Sequence, residues 1–544
     1  MIDATDAAQA THRVVNQSVP VPSHDAWSLD DAATEAVARY GGDGAGDRLQ
    51  SLGRLVGSAH GEELAHLANR HGPELVAYDR FGHRVDQVRF HPSYHELMGI
   101  AKDHGVHCYD WARQGEAGAV VARAALHYVF YQLEAGTTCP ITMTHAVVPS
   151  LKHSPEVAAE WVPRVLEESY DPRFLPAAEK TGVTFGMAMT EKQGGSDVRA
   201  NSTRAVVAPD GTARIDGHKW FCSAPMSDAF LTLAYEEQAL SCFLVPRFRP
   251  DGSVNPFHVQ RLKDKLGNRS NASSEIEYRG TWGQRVGDAG RGVATILEMV
   301  AQTRLDVALG EAASMRQALR YAVHHARHRV AFGKRLVEQP LMRNVLADLA
   351  VEVEAAVALA FRLAAAFDRE ETALGRVLTP ISKYFLGKVA INHIAECLEC
   401  HGGNGYAEDW PMARLYREAP LGSIWEGSGN VQCLDVLRAM HKEPESVEAL
   451  RSELGRHAGT DPRLDGLHTA ILGALGDRAA LVFHARRLAE DVAVAVQAGL
   501  LIDHAPQAVA DAFLARLDSP GRQYGRLPHG TDVEAILARA GAPG

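Results

Sequence analysis

A chain of 544 residues has room for about three to five domains, each with a buried core. Its formal charge of −11 excludes a protein that coats nucleic acid with its whole surface, while a local basic patch stays open. No window reaches the roughly 18 uninterrupted apolar residues of a membrane span, and the N-terminal MIDATDAAQATHRVV has no basic stretch followed by an apolar core, so neither a span nor a secretory leader is expected.

In chain order, residues 1–30 contain VVNQSVPVPSHDAW, where prolines at alternate positions predict an extended arm. Residues 31–183 are Ala- and Leu-rich at helical spacing, as in DDAATEAVARY and GAVVARAALHYVFYQLEAG, which predicts an α-helical domain; the aromatic and His residues of RFHPSYHELM read as core and interface. From 184 to 288 the text becomes short runs of β-formers, TARIDGHKWFCS, DAFLTLAYE, LSCFLVPRF and SSEIEYRGTW, separated by DG, EEQ and RPDGS. That spacing of turns predicts a compact antiparallel domain inserted in a helical protein. Helical text fills 289–445; in GVATILEMVAQTRLDVALG, Val293, Ile296, Leu297, Val300 and Leu305 recur near one face. HGGNGY, DWP and APLGS punctuate a long loop late in that stretch. The tail, 446–544, is Ala-rich and helical (LHTAILGALGDRAALVFHARRLAEDVAVAV) and ends in GRQYGRLPHG and one short helix. Seven scattered cysteines, odd in number, fit free thiols in a reducing cytoplasm.

Four stretches hold chemistry. In TEKQGGSD two glycines flanked by Thr190 and Ser196 let backbone approach a ligand, with two hydroxyls to donate; taken alone it is a turn, since no GxGxxG or GxxxxGK[ST] is present. In RVAFGKRLVEQP, Arg329 suits a phosphate and Phe332 a flat ring, with Gln339 following; the alternative is a helix end capped at Gly333. The glycines of HGGNGYAEDWPMARLYREAPLGSIWEGSGN suit backbone lying against a flat or charged ligand. In SIWEGSGN, Glu426 stands between an indole and small residues without an ion-pair partner beside it. Such a carboxylate has a raised pKa and suits a base, unless it is a solvated loop acid. His393, Cys397 and Cys400 fall on one helical face with His401 adjacent, but with no second Cys pair and an otherwise apolar helix no metal is predicted. GxSxG is absent.

Taken in order, TE…GSD, GHKWF…S, RxxFG…Q and GGxGY…YRE…EG resemble the acyl-CoA dehydrogenase family of flavoproteins. FGMAMTEKQGGSDVRANSTRA, RLKDKLGNRSNASSE and LYREAPLGSIWEGSGNVQCLDVLR resemble its AidB-like branch, the alkylation-response flavoproteins, and the likeness runs to about residue 440. The resemblance implies a mainly α fold with an inserted antiparallel β-barrel and a C-terminal helical domain. It implies FAD as cofactor and a homotetramer built as a dimer of dimers. Met187, Met189 and Thr190 would line the isoalloxazine, and Gly195 and Ser196 would approach ring and phosphates. Phe221 stands where the family has Trp against the flavin, and Ser223 where it has Thr. Arg329, Phe332 and Gln339 would reach FAD from a neighbouring subunit, and Gly403 would be a further cofactor contact, although Glu399 replaces the Gln of many relatives. Ser428 and Asn430 match further FAD contacts. Glu426 falls on the family's catalytic base; relatives that move the base place an acid where this chain has Thr303. Arg304 matches a substrate-side arginine, the alternative being a helix-surface ion pair.

The implied reaction is FAD-dependent α,β-dehydrogenation of an acyl thioester such as an acyl-CoA, in the cytoplasm. The AidB likeness carries a different implication: a protective flavoprotein of the DNA-alkylation response that binds double-stranded DNA with little turnover. A third is an oxidase or monooxygenase of small alkylating agents. Arg438, Arg478, Arg486, Arg487, Arg516, Arg522 and Arg526 would form the DNA surface. From 441 onward 11 Lys and Arg stand against 14 Asp and Glu, so only weak, salt-sensitive binding is expected.

Overall fold

The computed structural model describes residues 11–476, 478–518, 524 and 527–541. The arm before residue 25 runs extended over the helical body. Asn16 exchanges two hydrogen bonds with the Val330 backbone (2.8 and 2.7 Å), and His324 Nε2 meets the Val19 carbonyl at 2.8 Å.

The N-terminal helices are α1 (Asp31–Arg39), α2 (Gly46–Val56), α3 (Ala59–Arg70), α4 (Pro92–Asp103), α5 (Ala119–Leu133), α6 (Ala135–Leu151) and α7 (Pro155–Leu166). α5 and α6 are buried along nearly their whole length and run through the centre. Glu134 joins them, its carboxylate accepting from Gly136 N (3.0 Å) and Thr137 N (2.7 Å) at the start of α6. The expectation of a wholly helical stretch here is corrected by a hairpin, β1 (Glu74–Tyr78) and β2 (Arg84–Arg89). Asp79 builds its turn by accepting from Phe81 N and His83 N, and Arg84 ties it to the Val259 carbonyl at 2.7 Å.

Seven strands follow: β3 (Phe185–Ala188), β4 (Arg204–Val207), β5 (Thr212–Ser223), β6 (Ala229–Glu236), β7 (Ala239–Pro246), β8 (Phe257–Leu262) and β9 (Ser273–Val286). They form one sheet, and it departs from the antiparallel expectation in two places. β3 and β4 both lie parallel to β6, sharing one edge of it, β3 along Ala229–Thr232 and β4 at Tyr235. The other pairings are antiparallel, and the neighbours β4–β5–β9–β7–β6–β4 form a closed circuit with β8 on β9. One face packs on a core of its own around Phe230, Phe243 and Phe257. The other packs with α6, α7 and the start of α8 in a second core, against which Met187, Met189 and Trp425 lie.

α8 (Gly292–His328), α9 (Pro340–Asp368) and α10 (Thr372–Glu399) are the long helices of the second helical body, completed by α11 (Pro411–Gly422) and α12 (Gly429–Lys442). Asp306 of α8 is bound by Arg123 of α5 and by Thr142 of α6 at 2.7 Å, so one buried carboxylate pins three helices together. Of the tail helices, α13 (Pro444–Gly455), α16 (Ala485–His504), α17 (Gln507–Asp518) and α18 (Val533–Arg539) dock against α9 or α10, while α14 (Pro462–Gly476) packs on α16 and α17 and is followed by α15 (Arg478–Leu481). Among the described residues no helix is long and apolar enough to cross a membrane. All seven cysteines are buried and unpaired.

Candidate active site

Glu426 sits in the short turn between α11 and α12, where the second helical body meets the sheet. Its backbone is left-handed (φ 56°), a conformation that costs a non-glycine residue about 1 kcal/mol and persists only when neighbours impose it. Three side chains do so. Arg304 Nε donates to the Glu426 carbonyl (3.1 Å), Gln432 Nε2 donates to the same carbonyl (2.8 Å), and Lys383 Nζ donates to the carbonyl of Gly427 (2.5 Å). Among the described residues the carboxylate itself accepts one hydrogen bond, from Thr303 Oγ1 at 2.8 Å. Burial raises the Glu426 pKa above its ordinary value, and the Thr303 hydroxyl, Arg304 and Lys383 pull against that rise. The result is a carboxylate that is ionisable, weakly solvated and aimed, which is what a base needs.

Arg304 is half in use already: its Nη1 pairs with Asp435 at 2.6 Å, and Arg376 meets the other Asp435 oxygen at 3.0 Å. Burial would raise Asp435, but the two arginines outweigh it and hold the acid low. The expected substrate-side arginine therefore lies in an internal ion pair and also steadies the Glu426 turn.

Facing this turn is a second group of residues on the sheet. Ser223, at the end of β5, lies 3.5 Å from Ser273, and Lys265 Nζ reaches Ser273 Oγ at 3.1 Å. Phe221 leaves the sheet half exposed, with Lys263 Nζ 4.8 Å from its ring. Met187 and Met189 are partly buried against the same core as Trp425, whose indole N–H is buried without a partner. The loop carrying Thr190 and Ser196 is held from below by Glu191, fully buried. That carboxylate accepts from Lys219 Nζ (2.8 Å), Thr203 Oγ1 (2.6 Å) and Ser202 N (2.6 Å). A Cβ on Gly195 would stand 2.4 Å from Thr190 Oγ1, so only glycine lets the loop close. Neither hydroxyl has a protein partner among the described residues. An exposed ring, two thioethers and free hydroxyls around a loop that admits close approach form a cradle suited to a flat heteroaromatic group with a phosphate tail.

Arg329 and Phe332 flank and tip a hairpin of two-residue strands, β10 (Val330–Ala331) and β11 (Lys334–Arg335), and Gln339 follows it just before α9. α8 has already ended, so Gly333 turns a hairpin instead of capping a helix: Phe332 (φ 51°) and Gly333 (φ 76°) are both left-handed. Arg329 donates to the Asn16 carbonyl, Gln339 Nε2 holds the Ala331 carbonyl at 3.0 Å, and the Phe332 side chain is 100% exposed at the tip. Gly403 lies on an exposed turn, and Ser428 and Asn430 are exposed at the start of α12. Glu399 is exposed at the end of α10. His393 faces Glu352 (3.3 Å), while Cys397 and Cys400 are in the core. A cleft of about 800 Å³ between α3 and residues 408–417 contains none of the groups around Glu426.

Of the arginines expected to face DNA, one is turned inward and three are exposed among the described residues. Arg516 pairs inward with Glu352 (3.0 Å) and Asp348 (3.4 Å) of α9. Arg438 and Arg487 are exposed, 3.8 Å from Asp435 and 3.5 Å from Asp491, and Arg486 lies beside the Tyr384 ring. Arg478 begins α15, and Arg522 and Arg526 lie outside the described residues.

Sequence reasoning missed Lys383, Gln432 and Glu191, which build the site from behind. Lys383 alone left a trace, as a cation within the largely apolar text of α10.

The sequence matches the acyl-CoA dehydrogenase middle domain over residues 186–281 and the acyl-CoA dehydrogenase C-terminal domain over 290–441. A third match, over 16–172, is to the adaptive response protein AidB N-terminal domain. The chain therefore belongs to the acyl-CoA dehydrogenase family, in its AidB-like branch. AidB of Escherichia coli strain K12 is 46% identical over 460 residues, 84% of this chain and 85% of that protein. Acyl-CoA dehydrogenase family member 11 of Caenorhabditis elegans is 31% identical over 490 residues, 82% of this chain and 78% of that protein. Among solved structures, the Bd2924 apo-form superposes with a TM-score of 0.83 at 28% identity, covering 90% of this chain and 99% of that one. Caenorhabditis elegans ACDH-11 in complex with C11-CoA superposes with a TM-score of 0.83 at 27% identity, covering 98% and 94%. The protein is an acyl-CoA dehydrogenase-type oxidoreductase, and its cofactor is FAD.

Proposed function

We propose that the protein removes a proton α to the carbonyl of an acyl-CoA thioester, with Glu426 as the base. One observation carries this reading: the only carboxylate aimed from the α11–α12 turn is poorly solvated, raised in pKa and held by three hydrogen bonds on its own turn. Bound FAD supplies the acceptor for the hydride that leaves the β-carbon. Thr303 fixes the carboxylate oxygen that stays off the proton, and the apolar core behind Trp425 keeps water away. An acyl-CoA is supported as substrate by the C11-CoA bound to the Caenorhabditis elegans relative.

Met187, Met189, Thr190, Gly195, Ser196, Phe221, Ser223, Ser428 and Asn430 are the proposed FAD contacts of one subunit. Arg329, Phe332, Gln339 and Gly403 are those offered to a neighbour. Their support is the cradle described above and the wholly exposed Phe332. A ring left in water at a strained position gains its apolar burial only from another molecule. This makes a homotetramer, a cytoplasmic one given seven free thiols, part of the same proposal.

The test is anaerobic bleaching of bound flavin by undecanoyl-CoA and a panel of shorter acyl-CoAs. Glu426→Gln is expected to slow bleaching by about 10³-fold or more, the order of a lost catalytic base. Bleaching at the parent rate would remove Glu426 from the reaction. DNA binding is a second reading, favoured by the exposed Arg438, Arg486 and Arg487 and by the AidB likeness.

A further inference from the structure

Behind the Glu426 turn lies a buried amine that the proposed reaction does not use. Lys383, on α10, is 1% exposed, and the Gly427 carbonyl is its one hydrogen-bond acceptor among the described residues. Across from it Glu311 of α8 is also buried, with Oε2 unpartnered and no ion pair formed to the amine. Burying an ammonium without a paired carboxylate is costly, so its place needs a reason.

We propose that Lys383 is the positioning residue of Glu426: its ammonium holds the Gly427 carbonyl and so fixes the turn that aims the carboxylate, and its positive charge keeps that carboxylate ionised. The inference rests on the reading of Glu426 as the base. It stands on the 2.5 Å contact, on the left-handed turn that the contact restrains, and on the burial of Lys383.

The groups facing this pair are few. Glu426 is met by Thr303 and Arg304 from α8 and by Lys383 from α10, with Cys139 of α6 close by. Lys383 is met by Glu426, by Arg304 and Glu311 from α8, and by Lys388 of its own helix. Burial lowers Lys383 to about 7, against the pull of Glu426. Burial raises Glu311 to about 8, so it is protonated near neutrality and leaves Lys383's charge to act on Glu426. The charge on Lys383 is thus divided at neutral pH. As pH rises through that range the amine neutralises and Glu426 becomes the stronger base.

The experiment follows the Glu426 carboxyl directly, by infrared difference titration of the holoprotein, with the band assigned as the one lost in Glu426→Gln. Lys383→Arg keeps charge and donor, Lys383→Gln keeps a donor without charge, and Lys383→Met keeps neither. The Glu426 midpoint is expected to rise by about one unit in the Gln and Met variants and to stay within about 0.3 unit of the parent in the Arg variant. Bleaching by undecanoyl-CoA is expected to fall by about tenfold more in Met than in Gln, because only Met loosens the turn. An unmoved midpoint in either neutral variant that folds, or an equal rise in Lys383→Arg, overturns the proposal. If instead Glu426→Gln bleaches flavin like the parent, the reading of the base fails and the effect of Lys383 on the carboxyl is judged from the titration alone.

Discussion

Thr303 contributes the hydrogen bond on the Glu426 carboxylate, and its removal has a defined sign. The hydroxyl stabilises the charged form, so Thr303→Val raises the Glu426 pKa further and moves the acid limb of flavin reduction upward by about 0.5–1 unit, whereas Thr303→Ser leaves it in place; a pH profile of bleaching rate checks this. Glu311 makes a separate prediction about stability. Its folded pKa, about 8, lies above the unfolded value of 4.5, so the folded state holds more protons between those values. Stability from this group is full below about 4.5 and is lost as pH rises towards 8. Glu311→Gln is therefore expected to raise the melting temperature at pH 8, by an amount on the order of 3–5 kcal/mol of stability, and to change it little at pH 5. A scan at both pH values that shows equal shifts contradicts the assigned burial. The legible part of the site was the part with chemistry in its local text: an acid between Trp425 and Gly427, hydroxyls flanking a glycine pair. Glu191 and Glu311 were illegible as buried supports, and Lys383 left only the trace of a cation in apolar helix text. Their roles come in large part from residues distant in the chain, such as Lys219 for Glu191, 28 positions away, and Gly427 for Lys383, 44 positions away.

At the scale of elements, length decided what the sequence revealed. The runs of β5, β6, β7 and β9 are eight residues or longer and announce themselves by β-branched and aromatic content. The parallel edge pairing of β3 and β4 on β6 did not, because short strands leave direction to tertiary packing. The hairpin of β10 and β11 has two residues per strand, below the length at which alternation can be seen, and its turn carries Phe where Asn or Gly is favoured. That exception is informative. Phe332→Asn is expected to stabilise the hairpin by about 1 kcal/mol, since Asn tolerates the left-handed region, yet to weaken FAD retention by tenfold or more and to shift the protein towards smaller assemblies. Calorimetry, flavin release on dilution and light scattering read the three effects. A variant that is more stable and keeps both FAD and assembly would show that the exposed ring faces only water.

The tail is joined to the rest of the molecule by charge as well as by apolar packing. Arg539 of α18 meets Glu354 of α9 and Glu35 of α1, both at 2.6 Å, and Arg316 of α8 donates to the Ala540 carbonyl at 2.7 Å. Arg362 of α9 meets Glu453 of α13 at 2.7 Å, and Arg516 of α17 meets Glu352. Such half-buried pairs leave an uncompensated carboxylate when one member goes, so Arg539→Met is expected to cost about 2–4 kcal/mol and to expose α18 to proteolysis. The same bonds limit what the tail can offer to DNA. Each phosphate neutralised by a free cation contributes about 0.9 to the slope of log affinity against log salt, and only Arg438, Arg486 and Arg487 of the expected set are exposed among the described residues. Those three arginines are therefore expected to contribute about −3 to the slope of any double-stranded DNA binding, and that part of the slope is lost when the three become Gln. Arg516→Gln should lower thermal stability and leave the slope alone, because its partners are the carboxylates of α9. Loss of slope in Arg516→Gln would instead mean that the tail releases its own ion pairs on binding. It would appear together with a loss of protection of α17 and α18 in hydrogen exchange, and its absence there would leave the tail as a docked structural layer.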